Sequence, residues 1–193
     1  MKVLSWERKN INTISDYLIR GMVVAIPTET LYGLLTVADR RDSVEKVYKI
    51  KERNPVKPVI ILISDLGDLE RFGIELTNWQ REYTEKYWPG AVSIILPCGT
   101  DKFEYLHRGT KTLAFRLPDD DLLKELLIKT GPLVAPSANP EGQEPGFTVQ
   151  KIQEYFGEKV DLYVDGGIRN SPPSTLISLI DDKLDILRGD LNK

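Results

Sequence analysis

Short apolar runs rich in β-branched residues alternate along this chain with stretches of helical periodicity, and that alternation limits the fold more than any other feature. Met22-Val23-Val24-Ala25-Ile26, stopped by Pro27, predicts a buried strand feeding a polar loop, Thr28-Glu29-Thr30-Leu31-Tyr32-Gly33. Similar patterns predict strands over 59–63, 92–96, 112–117, 133–135, 162–164, 174–180 and 184–188. Helices are expected over 12–19, from Asp42 (in a capping pair with Glu45) to Lys51, and over 66–72, 79–88, 122–129 and 149–156. Strand and helix alternate, with antiparallel neighbours near the end. The expected class is α/β or α+β, a single domain over 1–193 with a twisted mixed sheet flanked by helices.

Composition narrows the chemistry. Cys98 is the only cysteine and His107 the only histidine. An intrachain disulfide, a cysteine or histidine zinc site, a Cys–His nucleophile and an HExxH metalloenzyme all need more ligands than that. The cytoplasm is the expected compartment. The first residues lack the apolar stretch of a secretion signal, and no apolar run approaches the roughly 20 residues that cross a bilayer. His107, within Leu106-His107-Arg108, is expected in an exposed loop, and Cys98 as a small hydrophobe. A net charge of −3 argues against a protein that coats nucleic acid. Chemistry must come from lysine, arginine, hydroxyls, carboxylates and backbone amides.

Neither GxGxxG nor GxxxxGK[ST] occurs, and Gly109-Thr110-Lys111-Thr112 lacks the spacing of a phosphate loop. Cations are segregated: Lys46, Lys49, Lys51, Arg53 and Lys57, offset only by Glu52, give residues 46–57 a net charge of +4. Lys46 and Lys49 read as a solvated helix face. Lys51, Arg53 and Lys57 straddle a helix end and a proline-bounded loop before a strand, where the pattern fits either a solvated helix end or an anion site. Thr28, Thr30, Ser137, Asn139, Ser174 and Thr175 adjoin predicted strand ends. They are turn formers and caps, or, with Arg53, Arg116 and Arg188, the lining of one cleft for polyphosphate and carboxylate.

An ordered set of short stretches adds to this reading: Pro27-Thr28-Glu29-Thr30-Leu31-Tyr32-Gly33-Leu34, Lys51-Glu52-Arg53 with Lys57-Pro58, Trp88-Pro89-Gly90, Ala114-Phe115-Arg116-Leu117-Pro118, Pro136-Ser137-Ala138-Asn139 with Gly142, Ser174-Thr175-Leu176, and Arg188-Gly189. Each is weak alone, but together, in this order and over nearly the whole chain, they resemble the YrdC/Sua5 family of threonylcarbamoyl-AMP synthases, in its short single-domain form. The resemblance implies a YrdC-like fold with a concave basic cleft. It implies a nucleotidyltransferase that makes threonylcarbamoyl-AMP and pyrophosphate from L-threonine, bicarbonate and ATP, for the t6A37 modification of tRNA. A threonylcarbamoyl transferase complex, meeting the enzyme only transiently, then receives the product. Direct tRNA binding would be weak, and no membrane partner is implied.

By the same resemblance, Lys51, Arg53, Ser137 and Asn139 form the catalytic set. Arg53, Lys57, Thr112, Ser137 and Arg188 align with ATP-binding positions, and Thr30, Arg116, Ala135 and Ser174 with threonine-binding positions. Mg²⁺ is the implied cofactor, held mainly by ATP phosphates rather than by protein ligands. The chain departs from the family pattern at Leu35 and Ala91, which replace a glycine and a proline, and at Glu141, where a small serine is common. Two alternatives remain: a carbamoyl-adenylate-forming relative without threonine specificity, and an RNA-binding module on the same fold.

Overall fold

The apolar runs become one sheet in the computed structural model, which describes residues 1–191. In chain order the elements are β1 (Val3–Ser5), α1 (Ile11–Ile19), β2 (Val24–Pro27), β3 (Tyr32–Val37), α2 (Arg41–Lys51), β4 (Ile60–Leu62), α3 (Asn78–Tyr87) and β5 (Val92–Pro97). There follow α4 (Glu104–His107), β6 (Thr112–Arg116), α5 (Asp121–Thr130), β7 (Leu133–Val134), α6 (Val149–Phe156), β8 (Leu162–Asp165), β9 (Thr175–Ile180) and β10 (Lys183–Arg188). Residues Leu66–Phe72 form a 3₁₀ helix rather than an α-helix.

The strand order is β1-β8-β2-β3-β7-β4-β6-β5-β9-β10. Parallel pairs (β1/β8, β2/β8, β4/β6 and β5/β9) mix with antiparallel ones (β2/β3, β3/β7, β4/β7, β5/β6 and β9/β10). The mixed α/β sheet expected from the sequence is present. Alternation along β2 explains its double burial: Val23 and Ala25 join a core with Tyr32, Ile61 and Phe115, while Val24 and Ile26 face α1 and α5 in a second core.

The sequence pattern missed β1 and β3. The whole of β3 is buried and pairs with β2 from Val24↔Leu35 to Pro27↔Tyr32. Gly33 within it is closely approached: an added Cβ would lie 2.6 Å from Leu35 Cδ1, which would have to shift, and 3.4 Å from the Pro136 carbonyl. The Asp42–Glu45 capping pair does not form; Arg40 precedes α2 in an extended conformation and makes no side-chain cap. A capping box does open α3, where Thr77 Oγ1 accepts from Gln80 N at 3.2 Å and Thr77 N donates to Gln80 Oε1 at 3.1 Å.

His107 is not an exposed loop residue. It ends α4 and is fully buried, its Nδ1 accepting from Gly109 N at 3.1 Å. The turn after it is closed by Thr110 Oγ1, which donates to the His107 carbonyl at 2.6 Å. Cys98 is buried in the larger core as a small hydrophobe. No helix among the described residues is long and apolar enough to cross a membrane.

Candidate active site

The carboxyl ends of β2, β6, β7 and β10 meet the start of β9 and the loop after α2 around one cleft, the place where open α/β sheets gather functional loops. The cleft encloses about 310 Å³. Its charged lining residues are Arg53, Arg116 and Arg188; Thr28, Thr30, Ala135, Ser137 and Ser174 add hydroxyls and small surfaces.

At one end, Arg116 terminates β6 with its side chain almost fully buried. Its Nη1 donates to Thr30 Oγ1 at 3.2 Å, and Thr30 is held by Thr28 Oγ1 at 3.1 Å. Thr28 also donates to the Leu31 carbonyl at 2.7 Å, so this pair is fixed by the turn between β2 and β3. Arg188 reaches the same end from β10, donating through Nη2 to Ser174 O at 2.9 Å and Ser174 Oγ at 3.2 Å. Ser174 Oγ in turn shares a 2.9 Å hydrogen bond with buried Ser93 Oγ. Burial pushes the Arg116 pKa down; Glu29 opposes that shift and Arg188 adds to it. Two guanidiniums this close form a place for an anion, and forked donors suit a carboxylate.

At the other end, Arg53 Nη2 donates to the Pro58 carbonyl at 2.7 Å, pinning the guanidinium along the loop after α2. Ser137 lies opposite, on the segment following β7, and bridges to Gly33 of β3. Behind Ser137 sits Lys51, the last residue of α2 and only 3% exposed. Its Nζ lies within hydrogen-bond reach of Ser137 O at 2.8 Å, Asn139 O at 2.6 Å, Asn139 Oδ1 at 3.2 Å and Ser137 Oγ at 3.4 Å. Three N–H donors on four oxygens leave nothing for a ligand. Burial and then the nearby Arg53 push the Lys51 pKa down to about 8.

The cleft therefore brings together Thr30, Arg53, Arg116, Ala135, Ser137, Ser174 and Arg188 from the sequence-derived set. Four others stand outside its lining. Lys51 supports the segment 137–139 from behind. Asn139 is buried within that segment, its Nδ2 donating to Pro140 O at 3.0 Å and Gln143 O at 2.6 Å. Lys57 is more than half exposed and paired with Glu141, whose carboxylate also accepts from Asn54 N. Thr112 shares a face of β6 with Ala114 and Arg116 but lies beyond the last lining position and bonds Thr110 Oγ1 at 3.0 Å. Of the departures, Leu35 is buried in the smaller core, and Glu141 turns to Lys57 and Asn54.

Sequence reasoning assigned no role to Glu29, whose buried carboxylate lies 3.3 Å from Arg116 Nε. Burial raises its pKa; Arg116 is the chief opposing influence. The available signal was an acid inside the threonine-flanked loop after a buried strand. Thr28 and Ser93, which hold Thr30 and Ser174, were also missed as supports because hydroxyls at strand ends are so often mere turn formers.

Comparison with known proteins agrees with this architecture. The Sua5/YciO/YrdC family, described as Telomere recombination, matches residues 16–189. The "Threonylcarbamoyl-AMP synthase" of Bacillus subtilis (strain 168) is 35% identical over 188 residues, covering 96% of this chain and 54% of that protein. The "Putative threonylcarbamoyl-AMP synthase" of Methanocaldococcus jannaschii is 32% identical over 184 residues, covering 94% of this chain and 86% of that protein. The crystal structure of P. abyssi Sua5 complexed with L-threonine superposes with a TM-score of 0.90 at 28% identity, covering 97% of this chain and 57% of that one. The chain thus spans about half the length of the Bacillus and P. abyssi proteins. With a match extending over most of its length and a cleft built from the family's ordered segments, this chain belongs to the Sua5/YciO/YrdC family.

Proposed function

We propose that this protein is an L-threonylcarbamoyladenylate synthase, condensing L-threonine, bicarbonate and ATP into threonylcarbamoyl-AMP and pyrophosphate. One observation carries the reading: a single cleft is lined by Arg53, Arg116 and Arg188 together with Thr30, Ser137 and Ser174, donors for both a carboxylate and phosphates. Relatives over most of this chain's length carry the name of that activity, and the L-threonine complex of P. abyssi Sua5 shares the fold.

The chemistry asks little of the protein in covalent terms. The threonine amine takes up bicarbonate carbon to give a carbamate, with water leaving. A carbamate oxygen then attacks the α-phosphorus of ATP, and the bond to the pyrophosphate oxygen breaks. Both steps gain chiefly from fixed reactants and from cations placed where negative charge develops. Arg116, with Thr30 and Ser174 beside it, orients the threonine carboxylate and hydroxyl; Ala135 supplies a close apolar wall. Arg53 and Ser137 face the phosphates, Arg188 beside Arg116 serves as a cation shared by both substrates, and Lys57 approaches from the rim and Thr112 from the far end of β6. Lys51 and Asn139 shape the segment that presents Ser137. No residue here has to act as a nucleophile, in keeping with the scarcity of cysteine and histidine.

Mg²⁺ would enter with ATP, carried by its phosphates. Bound to the phosphates, the ion would offset charge on the leaving pyrophosphate. The product's carbamoyl phosphate anhydride suits transfer to a tRNA adenosine by a separate transferase complex in the cytoplasm. Purified protein is expected to release pyrophosphate from ATP only with both threonine and bicarbonate present. Release that ignores threonine would instead support the carbamoyl-adenylate alternative. Salt-sensitive RNA binding without any turnover would support an RNA-binding module.

A further inference from the structure

Both carboxylate oxygens of Glu29 are buried, and no other residue makes a well-formed hydrogen bond to them. Buried carboxylates are ordinarily tied by several donors, because the lost hydration must be replaced. Apart from its own backbone N–H, Glu29 has only the Arg116 guanidinium, whose Nε lies 3.3 Å away without an aligned hydrogen bond. The rest of Arg116 is placed differently: Nη1 donates to Thr30 Oγ1. Arg188, held on Ser174, contributes a second guanidinium to the same end. Asp119 and Asp120, from the turn before α5, are the other charges that act on Glu29, and both disfavour its ionised form.

Two guanidiniums thus stand at this end of the cleft, and one poorly anchored carboxylate lies outside the lining against Arg116. A substrate carboxylate arriving at Arg116 competes with Glu29 for the guanidinium, and a carboxylate that loses its counter-ion in a desolvated place favours its neutral form. The α-carboxylate of a free amino acid, with an ammonium on the adjacent carbon, is a stronger acid than a glutamate side chain. Glu29 is also the one deprived of water and faced by Asp119 and Asp120. We propose that Glu29 is the resident counter-ion of Arg116, that the carboxylate of the amino-acid substrate takes its place on the guanidinium, and that Glu29 accepts one proton from solvent as this happens. The inference rests on the amino-acid reading of this end of the cleft. Glu29 acts through Arg116 and is a positioning residue.

The test is calorimetric titration of the intact protein with L-threonine between about pH 6 and pH 8, in buffers of different ionisation enthalpy. The wild-type protein is expected to take up protons on binding. Its affinity should fall as pH rises, by at most about tenfold per unit for one linked proton. Glu29→Gln keeps the shape but cannot titrate, so its proton uptake and pH slope should disappear, and at about pH 8 it should bind threonine several-fold more tightly than wild type. A structural prop would show the opposite, weaker binding at every pH, and that result overturns the proposal. So does threonine binding to wild type with no proton uptake, a measurement that stands even where the variant fails to fold. Failure of the folded wild type to bind threonine at all refutes the amino-acid reading itself, which is a distinguishable outcome.

Discussion

Lys51 holds its ammonium against oxygens of Ser137 and Asn139, so its protonation state and the shape of the cleft wall are linked. Its pKa in the folded chain, about 8, lies below the roughly 10.4 of an unfolded lysine. The native protein therefore loses this proton first as pH rises. Between those values the linkage increases stability with pH, even as the segment 137–139 loses an N–H donor. Turnover should consequently fall above about pH 8 in a pH profile of kcat/KM while thermal stability does not fall with it on this group's account. Lys51→Met fills the space without donors. It should fold, lose roughly tenfold or more in kcat/KM, as expected for hydrogen bonds to a charged group worth about 1.5–3 kcal/mol, and lack the alkaline limb. An unchanged limb in that variant would assign the titration elsewhere. The sequence could place Lys51 at the end of a helix beside Arg53, but not beneath Ser137, because the two are 86 residues apart.

Elements differed in legibility according to where their stabilisation comes from. Helix α6 was readable to the residue because its apolar positions recur at helical spacing and Thr148 caps it, accepting from Lys151 N at 3.3 Å. Strand β3 was unreadable because Tyr32-Gly33-Leu34-Leu35-Thr36-Val37 is stabilised by strands on both sides rather than by local preference. Helix α2 begins at Arg41 without a cap because packing of Val44, Val47 and Tyr48 against the core holds it. At α3 the local signal is sufficient, since the Thr77–Gln80 capping box is formed and Gln80 Nε2 also donates to Leu179 O at 2.8 Å. Thr77→Ala should cost about 1 kcal/mol in urea denaturation. None of the α3 residues lines the cleft, so pyrophosphate release should be unchanged. A loss of turnover without a loss of stability would mean that α3 acts on the cleft.

Across the whole molecule, the cleft depends on segments that meet only through the sheet. Glu141 illustrates this at the rim: its carboxylate clasps Lys57 and Asn54, joining the loop after α2 to the segment after β7. Glu141→Ser should free Lys57 toward polyphosphate and lower the KM for ATP, by no more than about fivefold for an exposed pair, with the difference fading in high salt. A raised KM would mean that the clasp shapes the ATP end rather than competing with it. By itself the sequence determined the alternating mixed-sheet class, most helices and the segregation of cations, because periodicity and local charge are written in neighbouring residues. It also held the ordered family segments, from Thr28-Glu29-Thr30 to Arg188. Only the tertiary structure decided that Arg116 and Arg188 line one cleft, that Lys51 faces inward to the chain rather than to a ligand, that His107 is buried, and that the Glu29 carboxylate is buried against Arg116. Those outcomes depend on strand order and on desolvation, which arise from contacts between distant residues and leave no local trace.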